Sequence, residues 1–145
     1  MDNQRSSDRR ALVAVAAQFF MNGALFASFI PRLPEVRDNV GISTAGVGVL
    51  LSIAGAGGLL GSAVVGRTIE RFGTRRTIMG GGVILAWSLP LIGFASSSFV
   101  LLMGLIAMAS FDVLVDVAMN MQGSWLSGRR RIPVMNRLHG LWSFG

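Results

Sequence analysis

The sequence predicts an all-α protein, a polytopic bundle of membrane-spanning helices. Hydrophobic residues make up 52% of the chain and charged residues only 14%, and the mean hydropathy is +0.60. Soluble domains usually carry about 25% charged residues. The 13 basic residues, all of them arginine, lie between long uncharged runs. A disordered chain needs low hydrophobicity and high charge, so disorder is excluded and a water-soluble globule is disfavoured.

Three uncharged runs predict four spans that are long enough to cross a bilayer. The first, 11–30, has about 20 residues and as a helix covers about 30 Å, the thickness of the hydrocarbon core. It exceeds the apolar core of a secretory signal, which has about 7–15 residues. The second run is 44–66. A third stretch is too long for one helix, and the serines at 96–98 divide it into spans 77–95 and 99–121.

A fifth apolar run starts at about Leu138 and continues to Gly145. It has about eight residues, whereas a spanning helix needs about 20. The sequence therefore predicts four transmembrane helices and the start of a fifth, as the truncated N-terminal part of a larger protein.

The arginines predict the orientation of these helices. They cluster before the first span, between the second and third, and after the fourth, whereas the other two loops are neutral or balanced by acids. Cytoplasmic loops are enriched in arginine and lysine. We therefore expect a multi-pass protein of the plasma (inner) membrane with a cytoplasmic N-terminus. The clustered residues are Arg5, Arg9, Arg10, Arg67, Arg71, Arg75, Arg76, Arg129, Arg130, Arg131 and Arg137.

Glycines mark the second span as a helix that packs closely against others. The pair Gly57 and Gly61 has the four-residue spacing that places both on one face. In lipid there is no hydrophobic driving force between helices. Small residues allow helix backbones to approach closely, and the resulting packing holds the helices together. This pattern predicts packing and specifies no activity.

The loop between the second and third spans contains a glycine, an acid, an arginine, a second glycine and an arginine pair at close spacing. An acid beside a basic cluster can pair locally and cap helix ends, and a glycine allows a tight reversal of the backbone. The motif resembles the signature loop of the major facilitator superfamily, which lies between the second and third helices and usually has Asp where this chain has Glu. Its residues are Gly66, Glu70, Arg71, Gly73, Arg75 and Arg76.

This resemblance covers essentially the whole chain and implies the first third of a twelve-helix transporter, with the motif as a gating loop. Residues 116–122 and 137–145 look like the branch that includes fucose permease-like and sugar-porter-like proteins, and residues 32–34 fit the same branch. In that branch a histidine lies near the start of the fifth helix, which corresponds to His139. The resemblance also implies that helices one and four line the central cavity.

The fourth span contains residues that are costly in a membrane. Asp112 and Asp116 are one helical turn apart and therefore share a face, which Asn120 continues. An Asp at a helix centre costs about 2.5–3.5 kcal/mol to insert, and each large apolar residue returns only about 0.3–0.6 kcal/mol. Such a helix needs a compensating partner or a water-filled cavity. We expect these groups on a solute and proton pathway; the alternatives are a permanent pair with an arginine, or a position in water at the interface.

The first span offers an amide face at similar depth. Gln18 and Asn22 are one turn apart and straddle its midpoint. Amides there can hydrogen-bond a polar solute or a neighbouring helix, and both interpretations stay open. Two weaker candidates are Arg32, which could meet an anionic solute or anchor the interface, and His139, which could titrate near neutral pH.

These observations predict a secondary active transporter that moves a small polar or sugar-like solute, coupled to protons. Its partners would be the lipid bilayer, the solute, a proton and the missing C-terminal half, so the fragment alone is not expected to transport. The alternatives are a small four-helix multidrug transporter working as a dimer, and a non-transport assembly subunit. With one His and no Cys, we expect no enzyme activity, no metal and no cofactor. Nucleic-acid binding is not expected either, because most of the arginines lie in the predicted cytoplasmic segments, where membrane orientation accounts for them.

Overall fold

The chain is helical along almost its whole length. The computed structural model describes residues 2–145 and the side chains from Ser7 onward, so the side chain of Arg5 in the predicted basic cluster lies outside the described residues. No strand occurs in this part of the chain, and the predicted all-α class is confirmed. The elements are α1 Asp2–Phe29, a 3-10 helix Ile30–Arg32, α2 Leu33–Val40, α3 Thr44–Gly93, α4 Ser98–Arg130 and α5 Met135–Phe144.

Three helical stretches are long and apolar enough to cross a membrane. They are Ser7–Val40, Thr44–Gly93 and Ser98–Arg130. The middle one, α3, has 50 residues, which at 1.5 Å per residue would extend about 75 Å if it were straight. A hydrocarbon core is about 30 Å thick, so α3 contains enough residues for two crossings.

The chain reverses direction within α3 at Gly73. This residue has φ 75° and ψ 159°, whereas its neighbours on both sides are helical. On a straight helix Gly57 and Gly81 would lie about 36 Å apart. Instead they approach Ser110 and Phe111, which are adjacent in α4. Residues 44–72 and 74–93 are therefore two antiparallel helices joined at one glycine, the tight reversal that the motif predicts.

The helix bounds differ from the predicted spans in several places. Helices α3 and α4 continue beyond the predicted spans 44–66 and 99–121. They can do so because a helix makes its backbone hydrogen bonds internally, in water as well as in lipid. Arginine is a good helix former and its long side chain reaches the interface. The fifth helix begins at Met135, three residues before the predicted start. The short helix α2 was not predicted; Val36 is its only buried side chain.

The chain divides into two compact units, and α4 contributes to both. One unit, Phe29–Ala118, contains the 3-10 helix, α2, α3 and the first two thirds of α4. Here Gly57 packs on α4 as the glycine pattern predicts: a Cβ on this residue would lie 3.1 Å from Ile106 Cγ2, and Ser110 Oγ donates a hydrogen bond of 2.8 Å to its carbonyl oxygen. A Cβ on Gly61 would overlap the backbone of Ser110. Glycine is therefore required for this close approach.

The other unit contains Met1–Ser28 and Met119–Gly145. In it α1 packs against α5, and the backbone at Trp142 approaches Gly23 so closely that a side chain at 23 would overlap it. The end of α4 packs on α5 in the same way, since a Cβ on Gly123 would lie 2.7 Å from Met135 Sδ. The turn between α4 and α5 has a left-handed residue, Arg131, with φ 52°.

Candidate functional site

The acidic face of α4 consists of Asp112 and Asp116, with Asn120 one turn further on. Asp112 and Asn120 are half-buried and Asp116 is exposed. All three engage in polar or electrostatic interactions with neighbouring groups. Ser110, which packs on α3, lies about 200° around the helix from Asp112. Asp112 therefore lies on the opposite side of α4 from Ser110, and Asp116 lies about 120° around the helix from Ser110.

The two predicted amides of α1 have different surroundings. Gln18 is half-buried, whereas Asn22 is 2% exposed and its Oδ1 accepts a hydrogen bond of 2.8 Å from Trp142 Nε1 of α5. A buried indole N–H normally finds an acceptor, and in lipid such a bond joins helices. This geometry supports the helix-linking interpretation for Asn22 and leaves Gln18 as the amide with an accessible side chain.

His139 lies beside α1 near the middle of α5. Its ring contacts Phe19 edge to face, with centroids 5.4 Å apart and an interplanar angle of 74°. Its Nδ1 lies 3.0 Å from the carbonyl oxygen of Met135. Because a carbonyl only accepts, Nδ1 carries the proton in this contact. The acceptor nitrogen of the neutral ring is then Nε2, and the ring is exposed.

The motif residues surround the reversal at Gly73. All six motif residues are exposed. The Arg71 guanidinium lies 5.5 Å from the ring centroid of Phe72, a cation–π contact. Within the part of the chain that the structure describes, no arginine lies within ion-pair distance of Glu70. The local pairing suggested by the sequence is thus absent there, and this carboxylate is accessible to other groups.

Arg32 ends the 3-10 helix and is exposed. The structure places it in the same unit as Asp112 and Asp116, while Gln18 and Asn22 belong to the other unit together with Asn120.

Sequence reasoning singled out His139 but missed Trp142 and the contacts that both side chains of α5 make with α1. Trp142 and His139 are the aromatic partners of Asn22 and Phe19. The signal available was weak: a tryptophan in an apolar run needs an acceptor, and Asn22 is an amide at mid-helix. The sequence separation of 120 between Asn22 and Trp142 prevented any local pattern from linking them.

Comparisons with known proteins agree on one family. The model of the Major Facilitator Superfamily matches residues 15–145. A membrane protein named MosC from Rhizobium meliloti is 32% identical over 134 residues, which cover 92% of this chain and 33% of that protein.

Two further relatives show similar likeness. An uncharacterized transporter of Sinorhizobium fredii is 30% identical over 131 residues, 90% of this chain and 35% of its own length. An uncharacterized MFS-type transporter of Yersinia pestis is 28% identical over 133 residues, 92% of this chain and 35% of its own length. The chain thus spans about a third of the length of the curated relatives that it matches. No solved structure matches it.

Proposed function

The chain belongs to the major facilitator superfamily, and from this membership we propose that it forms the N-terminal part of a secondary active transporter. The proposed activity is proton-coupled movement of a small polar or sugar-like solute across the inner membrane. Carriers of this kind rock two helical halves around a site near the bilayer midplane. Under this proposal a C-terminal half is a required partner, and the lipid bilayer surrounds both halves. Membership in this family supports this function over a small four-helix multidrug transporter or an assembly subunit.

The acidic face of α4 is the observation that carries the proposal. Two carboxylates one turn apart would cost about 5–7 kcal/mol to place at a helix centre. Neither carboxylate lies on the side of Ser110, where Gly57 and Gly61 pack, so that contact does not account for them. Intramembrane acids that face a water-filled path commonly bind solutes or relay protons. We assign the proton step to Asp112 and Asp116.

The sugar-like class of solute rests on a different observation. The stretches around Asp116–Gln122 and Arg137–Gly145 resemble the fucose permease-like branch. Asn120 and Gln18 supply amides, which donate and accept hydrogen bonds as sugar hydroxyls require. Because Asn22 is already bonded to Trp142, we assign it to the support of α1 rather than to solute contact.

The experiment is solute-driven proton uptake by the full-length protein in proteoliposomes that contain a pH-sensitive dye. A panel of monosaccharides serves as the probe. We expect at least one sugar to acidify the lumen with the wild type, and Asp112→Asn or Asp116→Asn to abolish the signal. The matched control is Asp38→Asn, the same chemical change at an exposed acid that pairs with Arg37 at 2.6 Å. Undiminished proton movement in both α4 variants would remove these carboxylates from the mechanism.

The proposed orientation places the N-terminus and the motif at Gly73 in the cytoplasm, by the positive-inside rule. Residues 1–145 contain no cysteine, so a thiol introduced among them is the only one in this part of the protein. We expect Ser97→Cys to react with an impermeant reagent from outside the cell. Gly66→Cys should react only after the membrane is opened. The reverse pattern would contradict the orientation.

A further inference from the structure

The positive charge of the chain is concentrated in the unit formed by Met1–Ser28 and Met119–Gly145. This unit holds seven of the 13 arginines and two of the seven acids, so it carries five of the six net positive charges. All seven arginines lie at the start of α1, at the end of α4, or from there to the first turn of α5. A general preference for basic cytoplasmic loops explains the sign of this charge. It does not explain where individual side chains point.

The structure brings these three segments together. Arg129 Nη2 at the end of α4 lies 4.0 Å from Asp8 Oδ1 in α1. The turn that follows is held by a hydrogen bond of 3.2 Å from the Val134 N–H to Ser127 Oγ. The left-handed Arg131 then directs the chain into α5. As a result, residues of α1, the end of α4, the turn and α5 surround one small volume.

That volume is a largely apolar cavity of about 230 Å³ whose lining includes two arginines, Arg130 and Arg137. Arg130 is half-buried and Arg137 is exposed. Within the described side chains, no acid lies within ion-pair distance of either. The rest of the lining is aliphatic and comes from α1, the turn and α5: Leu12, Ala16, Ile132, Val134, Leu138 and Leu141.

We propose that this cavity binds the headgroup of an acidic phospholipid. The guanidinium groups of Arg130 and Arg137 match the phosphodiester, since the planar fork of arginine donates paired hydrogen bonds to phosphate oxygens. The aliphatic lining covers the glycerol and the first methylenes of the acyl chains. Basic pockets between membrane helices recognise anionic headgroups in this way. A free phosphate ion would gain nothing from the aliphatic wall, which favours the lipid as the occupant.

The test is lipid binding to the purified full-length protein, measured by native mass spectrometry in detergent. The probes are phosphatidylglycerol, phosphatidylcholine and inorganic phosphate. Each basic residue near an anionic surface contributes about 1 kcal/mol. Arg130→Gln with Arg137→Gln should therefore weaken phosphatidylglycerol binding roughly 10- to 30-fold. Phosphatidylcholine, which has the phosphate but no net charge, should bind at least about ten times more weakly than phosphatidylglycerol to the wild type.

The matched control is Arg9→Gln with Arg10→Gln, which removes the same charge from two exposed positions of the same unit that do not line the cavity. It should change binding less than about threefold. A second variant, Ala16→Phe, fills the cavity and keeps every charge, and it should also weaken binding. Equal losses in the two arginine pairs would overturn the proposal in favour of diffuse attraction. Displacement of the lipid by inorganic phosphate would overturn it in favour of a simple anion site.

Discussion

Replacing Gly73 by alanine is the most direct test of the reversal within α3. The residue has φ 75° and ψ 159°, a combination of angles that is essentially confined to glycine and costs other residues about 1–3 kcal/mol. A Cβ built there meets no atom within 4 Å. Steric contact with the rest of the protein therefore contributes nothing, and the whole expected loss comes from the backbone.

Gly66→Ala is the matched control. Gly66 belongs to the same motif and is exposed, and its Cβ would also meet nothing within 4 Å, but its backbone is helical. Alanine in a helix is favoured over glycine by about 0.5–1 kcal/mol. The two variants make the same chemical change, yet we expect their free energies of unfolding to differ by about 1.5–4 kcal/mol, with Gly73→Ala the less stable.

The assay is equilibrium unfolding of the purified protein in mixed micelles, followed by circular dichroism as the denaturing detergent is increased. The midpoint of Gly73→Ala should fall below that of the wild type, and the midpoint of Gly66→Ala should equal or exceed it. If Gly73→Ala unfolds at the same midpoint as Gly66→Ala, the reversal does not depend on the backbone freedom of glycine and our account of α3 is wrong.

Three further outcomes are expected. Gly61→Ala should lose about 1–3 kcal/mol of stability through overpacking against α4, while Gly55→Ala, whose Cβ is in open space, should lose none; equal midpoints would contradict the close approach. A double-mutant cycle of Asn22→Ala and Trp142→Phe should give a coupling of about 0.5–1.5 kcal/mol, and additive losses would exclude the hydrogen bond. Arg131→Gly should raise stability by about 1 kcal/mol by relieving a left-handed conformation, and a lower unfolding midpoint would show that this residue is not strained.

The reversal at Gly73 could be predicted because its determinants are local. A glycine amid arginines, between two apolar runs, specifies where the chain leaves the membrane and turns. Helix periodicity likewise sufficed to place Asp112 and Asp116 on one face. The side of α4 that α3 covers depends on Gly57 and Gly61, whose partner Ser110 is more than 45 residues away. The glycines predicted that a close contact exists, and only the fold shows which helix makes it.

The role of Asn22 shows the limit of local reasoning. Spacing placed it with Gln18 on an amide face and left two interpretations open. The choice depends on Trp142, which approaches from α5 after the chain has passed through every other helix. Helix α2 was missed for another reason: its eight residues are too few for a periodic pattern to stand out.

The two sides of α4 have unequal tolerance of sequence change. On the side of Ser110, where backbones nearly touch, almost any larger residue should reduce the amount of protein that reaches the membrane. At Asp116, which is exposed, substitutions should leave abundance intact. Relatives could therefore diverge at the exposed positions of this helix while the residues around Ser110 change little. A saturation library sorted by expression level would separate these two kinds of position.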